Sequence, residues 1–242
     1  MSARRSRLDR LLAKLLGISP DAVRPLLAQQ RVRVDGEIAK AREQIVTGFS
    51  RIAVDDVIVQ AHAPRYVMLH KPRGVLSATH DDRHPVVSAL VDDAQDLHIA
   101  GRLDLHASGL LLLTNDGGWS RRLSAPQGNV AKQYEVTLRD PLDERYAEAF
   151  AAGMYFPYEN ITTRTALLEP LGTHTARVTL YEGRYHQLKR MFGRFRNPVL
   201  GIHRVAIGGL QLDAALRPGE WRELSADEVS AATTPGPVMM AG

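Results

Sequence analysis

The run Gly109-Leu110-Leu111-Leu112-Leu113-Thr114 constrains this chain more than any other stretch, because four consecutive leucines call for burial on every side. A half-exposed strand alternates and a surface helix keeps a polar face, so an unbroken apolar run reads as a core element. Gly101-Arg102-Leu103-Asp104 precedes it and Asn115-Asp116-Gly117 follows, both with turn-forming composition. Arg102 and Asp104 therefore stand in a short loop at the mouth of a buried element. Charges held there interact through a partly dry medium and act more strongly than on an open surface. A surface turn with an Arg–Asp pair has the same spacing, so the loop alone does not establish a chemistry.

Upstream, residues 7–30 read as two short helices. Leu8, Leu11, Leu12, Leu15 and Leu16 recur at three- and four-residue spacing, and Gly17 stands where a helix cap is expected. Ser19-Pro20 opens the second helix, whose buried side is Val23, Leu26 and Leu27; Pro25 predicts that it is short or kinked. Val32-Arg33-Val34-Asp35-Gly36-Glu37 alternates and turns, a hairpin pattern, and Ile52, Val54, Val57 and Val59 predict a closing strand. This outlines a small helix–helix–hairpin domain over 1–60, then a linker at 61–64 and a larger domain over 65–232. In the larger part, strands are expected near 66–71, 110–114, 132–138, 166–170, 176–181 and 205–212. Helices are expected near 118–123, 142–152, 186–195 and 226–232. Strands outnumber helices and connections are short, which favours an α+β fold with a mostly antiparallel or mixed sheet flanked by helices. Gly208-Gly209 predicts a bulge or tight turn, and residues 233–242, with Pro235-Gly236-Pro237, a disordered tail.

Charge is unevenly placed. Residues 1–60 hold eleven Lys/Arg against seven Asp/Glu, the whole of the net +4, while the rest of the chain balances. A basic small segment beside a neutral large one reads as a docking module joined to a working domain. A second basic stretch, 183–204, carries Arg184, Lys189, Arg190, Arg194, Arg196 and Arg204 with no acidic residue, interleaved with Tyr185, Phe192 and Phe195. Cations mixed with planar side chains suit phosphate contacts and base stacking, and equally an arginine-rich solvated helix face.

Four motifs in order now carry a resemblance: the strand ending in Lys71-Pro72-Arg73-Gly74, the loop Gly101-Arg102-Leu103-Asp104 with Ser108-Gly109 and its leucines, Lys132-Gln133-Tyr134, and Gly183-Arg184-Tyr185-His186-Gln187-Leu188-Lys189-Arg190. Together they resemble the pseudouridine synthases, which isomerise uridine in RNA. Pro64-Arg65-Tyr66, His84-Pro85, Gly117-Gly118-Trp119-Ser120 and residues 201–209 bring the resemblance nearest to the ribosomal small-subunit branch. The resemblance implies that Asp104 is the catalytic aspartate, attacking the sugar or removing a proton from it. It implies that Tyr134 stacks on the target base and is a candidate to take the proton from ring carbon five. A phenol ionises only well above neutrality, so that role needs help from its surroundings. The cation paired with Asp104 aligns with Lys189, where many relatives carry arginine, and Arg190 is the alternative. Arg102 is a local cation for Asp104 or a phosphate; Lys132, Arg184 and His186 complete the expected substrate contacts.

Residues 5–60 resemble the small RNA-binding domain named after ribosomal protein S-four, with Arg7, Arg10, Arg31 and Arg33 as RNA contacts. Pro20 replaces an arginine common in that family, and Gln29-Gln30 a common glycine. The expected activity is conversion of a flipped-out uridine in small-subunit ribosomal RNA, without a cofactor. The partner is ribosomal RNA or a small-subunit assembly intermediate. A large-subunit RNA address and a non-catalytic RNA-binding assembly factor are the alternatives. Cysteine is absent, which removes disulfides, a thiolate nucleophile and cysteine-held zinc. The scattered histidines predict no metal site, no phosphate-binding Gly-x-x-x-x-Gly-Lys-Ser/Thr loop occurs, and no apolar run approaches membrane-spanning length. A cytoplasmic monomer is expected.

Overall fold

The structure is a computed structural model that describes residues 5–236. The chain divides into two units: residues up to Arg65 with Asn115–Gly118, and Tyr66–Thr114 with Trp119–Gly242.

In the smaller unit, α1 (Leu8–Leu16) is capped by Gly17, and Ser19 caps a single 3-10 turn, Pro20–Ala22. The helix α2 (Val23–Ala28) is short, as Pro25 predicts; that proline sits in the first turn, where no amide hydrogen is needed. The strands β1 (Val32–Val34), β2 (Glu37–Ile38), β3 (Ile52–Val54) and β4 (Val57–Gln60) form an antiparallel sheet in the order β2-β1-β3-β4. The single closing strand expected over 52–59 is thus two strands. Asp55 and Asp56 both take left-handed backbone, φ 49° and 63°, which aspartate tolerates better than most residues and which suits a tight hairpin turn. Leu8, Leu12, Val23, Val32 and Ile52 are fully buried in the core between helices and sheet. The Asn115 side chain fastens the linker, accepting from Arg65 N at 2.8 Å and donating to Ala63 O at 3.0 Å.

The larger unit is built on a nine-stranded mixed sheet. Its main path uses β5 (Tyr66–Lys71), β6 (Ser108–Thr114), β7 (Lys132–Leu138), β8 (Leu167–Gly172), β9 (Thr175–Leu180), β10 (Val199–Ile207) and β11 (Trp221–Glu223) in the order β8-β9-β7-β10-β6-β5-β11. Every pairing is antiparallel except β10 with β6. The leucine run lies in β6 and serves two cores, because successive side chains of a strand point to opposite faces. Leu111 and Leu113 pack with Tyr146 and Phe150 of α4 (Glu144–Ala152) and with Leu188, Met191 and Phe192 of α5 (Gln187–Gly193). Leu110 and Leu112 pack with Trp119 and Leu123 of α3 (Gly117–Ser124) and with Ala232 of α6 (Ala226–Ala232).

The strand expected over 205–212 begins earlier, at Val199, and breaks at the Gly208-Gly209 turn, after which Leu210–Gln211 folds back on it. The basic stretch 183–204 is therefore split between α5 and β10 instead of forming one helical face. In the expected tail, Gly236 N donates to Asn129 O at 2.8 Å; residues 237–242 lie outside the described residues. Among the described residues no helix is long and apolar enough to cross a membrane.

Candidate active site

The loop carrying Asp104 is held from behind through its backbone carbonyls. Lys71, the last residue of β5, is fully buried, and its Nζ donates to Pro72 O (3.0 Å), Leu105 O (3.3 Å) and Ala107 O (2.8 Å). Arg204 on β10, 2% exposed, donates to Leu110 O (2.8 Å), Gly101 O (2.9 Å) and Arg102 O (3.4 Å). Ser77 Oγ donates to Leu103 O at 2.7 Å, and Gly74 N to Leu105 O at 2.8 Å. Among the described residues neither Lys71 nor Arg204 has a carboxylate partner. Both positive charges are spent on fixing loop backbone, and both add positive potential behind Asp104.

Burial pushes the Lys71 ammonium down from its ordinary 10.5 to about 8; the charge of Asp104 opposes that shift and Arg204 reinforces it. The folded chain therefore releases this proton near pH 8 while the unfolded chain keeps it to about 10.4. Stability then rises as pH goes up between those values. Lys71→Met should flatten this rise, shifting the stability difference between the two proteins by on the order of 3 kcal/mol across the window. Denaturant unfolding of both proteins at a series of pH values measures it, and parallel curves would refute it.

With its neighbours' carbonyls turned inward, Asp104 presents a carboxylate 29% exposed. Oδ2 lies 3.5 Å from Lys189 Nζ and 3.6 Å from His186 Nε2. His186 precedes α5 in left-handed backbone (φ 49°, ψ 34°), an unfavourable conformation for a non-glycine residue that aims its ring at the carboxylate. Lys189 and Arg190 point about 100° apart on the helix. Arg190 accordingly turns away, forms a bidentate pair with Glu159, and lies over the Phe156 ring at 3.8 Å. Lys189, not Arg190, faces Asp104.

Tyr134 on β7 is opposite Arg204 on β10, with the guanidinium carbon 6.0 Å from the ring centroid. Lys132, two residues back on the same face of β7, is pushed down to about 8 by burial, with the charges of Arg204 and Arg164 adding to the effect. Arg102 departs from expectation. It is exposed and makes no ion pair with Asp104, since its carbonyl is drawn inward to Arg204 while its side chain leaves toward solvent. Arg184 is bonded to the buried carboxylate of Glu182 at 2.9 Å, which also accepts from Gln187 Nε2 at 2.9 Å.

In the smaller unit, Arg7 pairs with Asp9 at 2.7 Å and Glu43 at 3.3 Å, Arg31 with Asp55, and Arg33 with Asp56 at 3.7 Å. Arg10 is exposed with no side-chain partner among the described residues. His80 and His84 stand four residues apart, a spacing used by helical metal sites. They lie in irregular backbone, however, and pair with Asp82 and Asp81, and no metal-holding group of three or more occurs among the described residues. A cleft of about 390 Å³ lined by His70, Gln133, Glu135, Arg177 and His203 opens on the sheet face opposite Tyr134 and is separate from the Asp104 loop.

Lys71 and Arg204 are the site residues that pattern reading missed. The available signal was in β10, where Arg204 occupies a core position in the alternation Ile202-x-Arg204-x-Ala206.

A family model described as RNA pseudouridylate synthase matches residues 65–193. Ribosomal small subunit pseudouridine synthase A of Pseudomonas aeruginosa is 50% identical over 226 residues, covering 92% of this chain and 98% of that protein. The protein of the same name from Escherichia coli K12 is 42% identical over 227 residues, 93% of this chain and 98% of its own. A crystal structure of a pseudouridylate synthase matches with a TM-score of 0.69 at 37% identity, over 93% of this chain and 99% of that one. The loop, the tyrosine strand and the helix bearing Lys189 all fall within the matched family region, and the chain belongs to the RNA pseudouridylate synthase family, in its ribosomal small-subunit branch.

Proposed function

We propose that this protein converts one uridine of small-subunit ribosomal RNA into pseudouridine, with Asp104 as the acting carboxylate on a flipped-out nucleotide. The address is supported by relatives named for the ribosomal small subunit that align over nearly the whole chain. The observation that carries the chemical reading is the Asp104 carboxylate, 3.5 Å from Lys189, on a loop whose carbonyls are fixed from behind.

Substrate and product contain the same atoms, so no oxidant, reductant or group donor enters. The bond from sugar C1′ to base N1 breaks, the uracil turns, and C1′ bonds to C5; the C5 proton leaves and a proton is restored at N1. An ionised carboxylate serves this either by attacking the electron-poor sugar carbon or by removing a sugar proton. Lys189 supplies the facing positive charge, and His186 places a ring nitrogen beside the same carboxylate oxygen. Tyr134 offers a ring for the uracil to stack on and a phenol for the C5 proton. Lys132 and Arg102 hold phosphate, and the target leaves its stack because a packed nucleotide keeps its glycosidic bond out of reach. In the smaller unit, Arg10 leads the phosphate contacts, with Arg7, Arg31 and Arg33 exchanging carboxylate partners for RNA. The chain works as a cytoplasmic monomer on ribosomal RNA or an assembly intermediate.

A pseudouridine map of ribosomal RNA from cells with and without this protein tests the reading. One small-subunit position should revert to uridine in its absence. A lost position in large-subunit RNA would move the address, and an unchanged map would favour a non-catalytic binding protein.

A further inference from the structure

The cations at the start of α5 are largely engaged. Arg184 is bonded to Glu182, and Arg190 to Glu159 and, at 3.5 Å, to the carbonyl of Tyr185. These carboxylates offset the positive charge of the corner, so phosphate attraction there is weak. What remains open is an aromatic face. Tyr185 is 77% exposed, and its ring stacks on His186 with centroids 3.8 Å apart and planes 23° from parallel. His186 reaches to 3.6 Å from Asp104 through its left-handed backbone. A two-ring column thus runs from the reacting carboxylate to solvent and ends in a largely exposed tyrosine.

We propose that Tyr185 is the stacking platform for the unpaired nucleobase adjacent to the target uridine. This rests on the RNA-modifying reading above and adds a subsite to it. A base laid on the outer face of Tyr185 continues the column, one backbone step from the nucleotide at Asp104. Every base has a π-face, so such a platform holds the flanking nucleotide without selecting its identity. The Arg190 bridge explains why the platform keeps its place. It ties the Tyr185 backbone to the hairpin of Tyr155–Phe156 and Ile161–Thr162 through Glu159.

The test uses the full chain with two end-labelled probes, a short unstructured RNA and an abasic oligomer of equal length, read by fluorescence anisotropy. Tyr185→Ala should weaken RNA binding roughly tenfold while leaving the abasic oligomer unaffected, and Tyr185→Phe and Tyr185→Trp should keep wild-type affinity for both. An unchanged melting temperature for Tyr185→Ala confirms that the fold is intact. Equal RNA affinity of wild type and Tyr185→Ala, an equal loss on the abasic oligomer, or no RNA binding by wild type overturns the platform. The pseudouridine map is independent of these measurements: an unchanged map removes the catalytic reading and overturns the place of the stacked base beside a target uridine, even with the stacking loss present, whereas a changed map without the stacking loss overturns the platform alone.

Discussion

Asp104→Asn is expected to reduce uridine conversion by at least about 10³-fold, a barrier increase of roughly 4 kcal/mol. The amide matches the carboxylate in size but carries no charge, so it neither attacks a sugar carbon nor removes a sugar proton at a useful rate. The fold should survive, because the side chain is partly exposed and its contacts to Lys189 and His186 are long, 3.5 and 3.6 Å. The loop is fastened through carbonyls 101 to 107 by Lys71, Ser77 and Arg204, none of which bonds the Asp104 side chain. RNA affinity should stay within a few-fold of wild type. Single-turnover conversion of small-subunit ribosomal RNA, read by mass spectrometry of the modified nucleosides, measures the effect. Product at a near-wild-type rate would remove Asp104 from the chemistry.

Much of this site was legible because motif order and helical geometry survive in one dimension. The Gly101–Asp104 loop ahead of the leucine run, Tyr134 in an alternating strand and Lys189 on a helix all stand where the pattern puts them. Pairing partners were less legible. Spacing alone offers Arg102, two residues from Asp104, whereas the cation that faces Asp104 is Lys189, 85 positions later, which the motif resemblance names and the fold brings to the loop on α5. Arg204 read as part of a basic run, since charge counting ignores the period of two that buries it in β10. The smaller unit shows the same limit. Asp55-Asp56 looked like polar residues inside one strand, and their shared left-handed backbone made two strands instead. Local chemistry was readable, whereas which carbonyl or carboxylate each cation meets depended on contacts far apart in the chain.

The clearest dependence of the site on such a contact lies at Gly109, where Gly109→Ala should be among the most damaging single-methyl additions. Gly109 has φ +106°, a region that costs an L-residue about 1–3 kcal/mol. A Cβ there would also stand 2.3 Å from Arg204 O and 2.6 Å from Arg204 N, backbone atoms that no rotamer change can move. This is the parallel pairing of β6 with β10, so relief requires parting two central strands. Gly101→Ala separates the two causes. Its φ is +92°, but nothing lies within 4 Å of the added carbon, so only the backbone cost of about 1–3 kcal/mol applies. Gly109→Ala should cost about 3–5 kcal/mol, a melting point lower by roughly 10 °C, and fall clearly below Gly101→Ala. Conversion should drop even at temperatures where the variant remains folded, because a displaced Arg204 backbone loosens the bonds from its side chain to Gly101 and Arg102. Thermal unfolding of both variants beside a conversion assay decides the matter. If Gly109→Ala melts no lower than Gly101→Ala, the close approach of β6 and β10 does not hold the loop, and the Asp104 carboxylate is positioned by something other than Arg204.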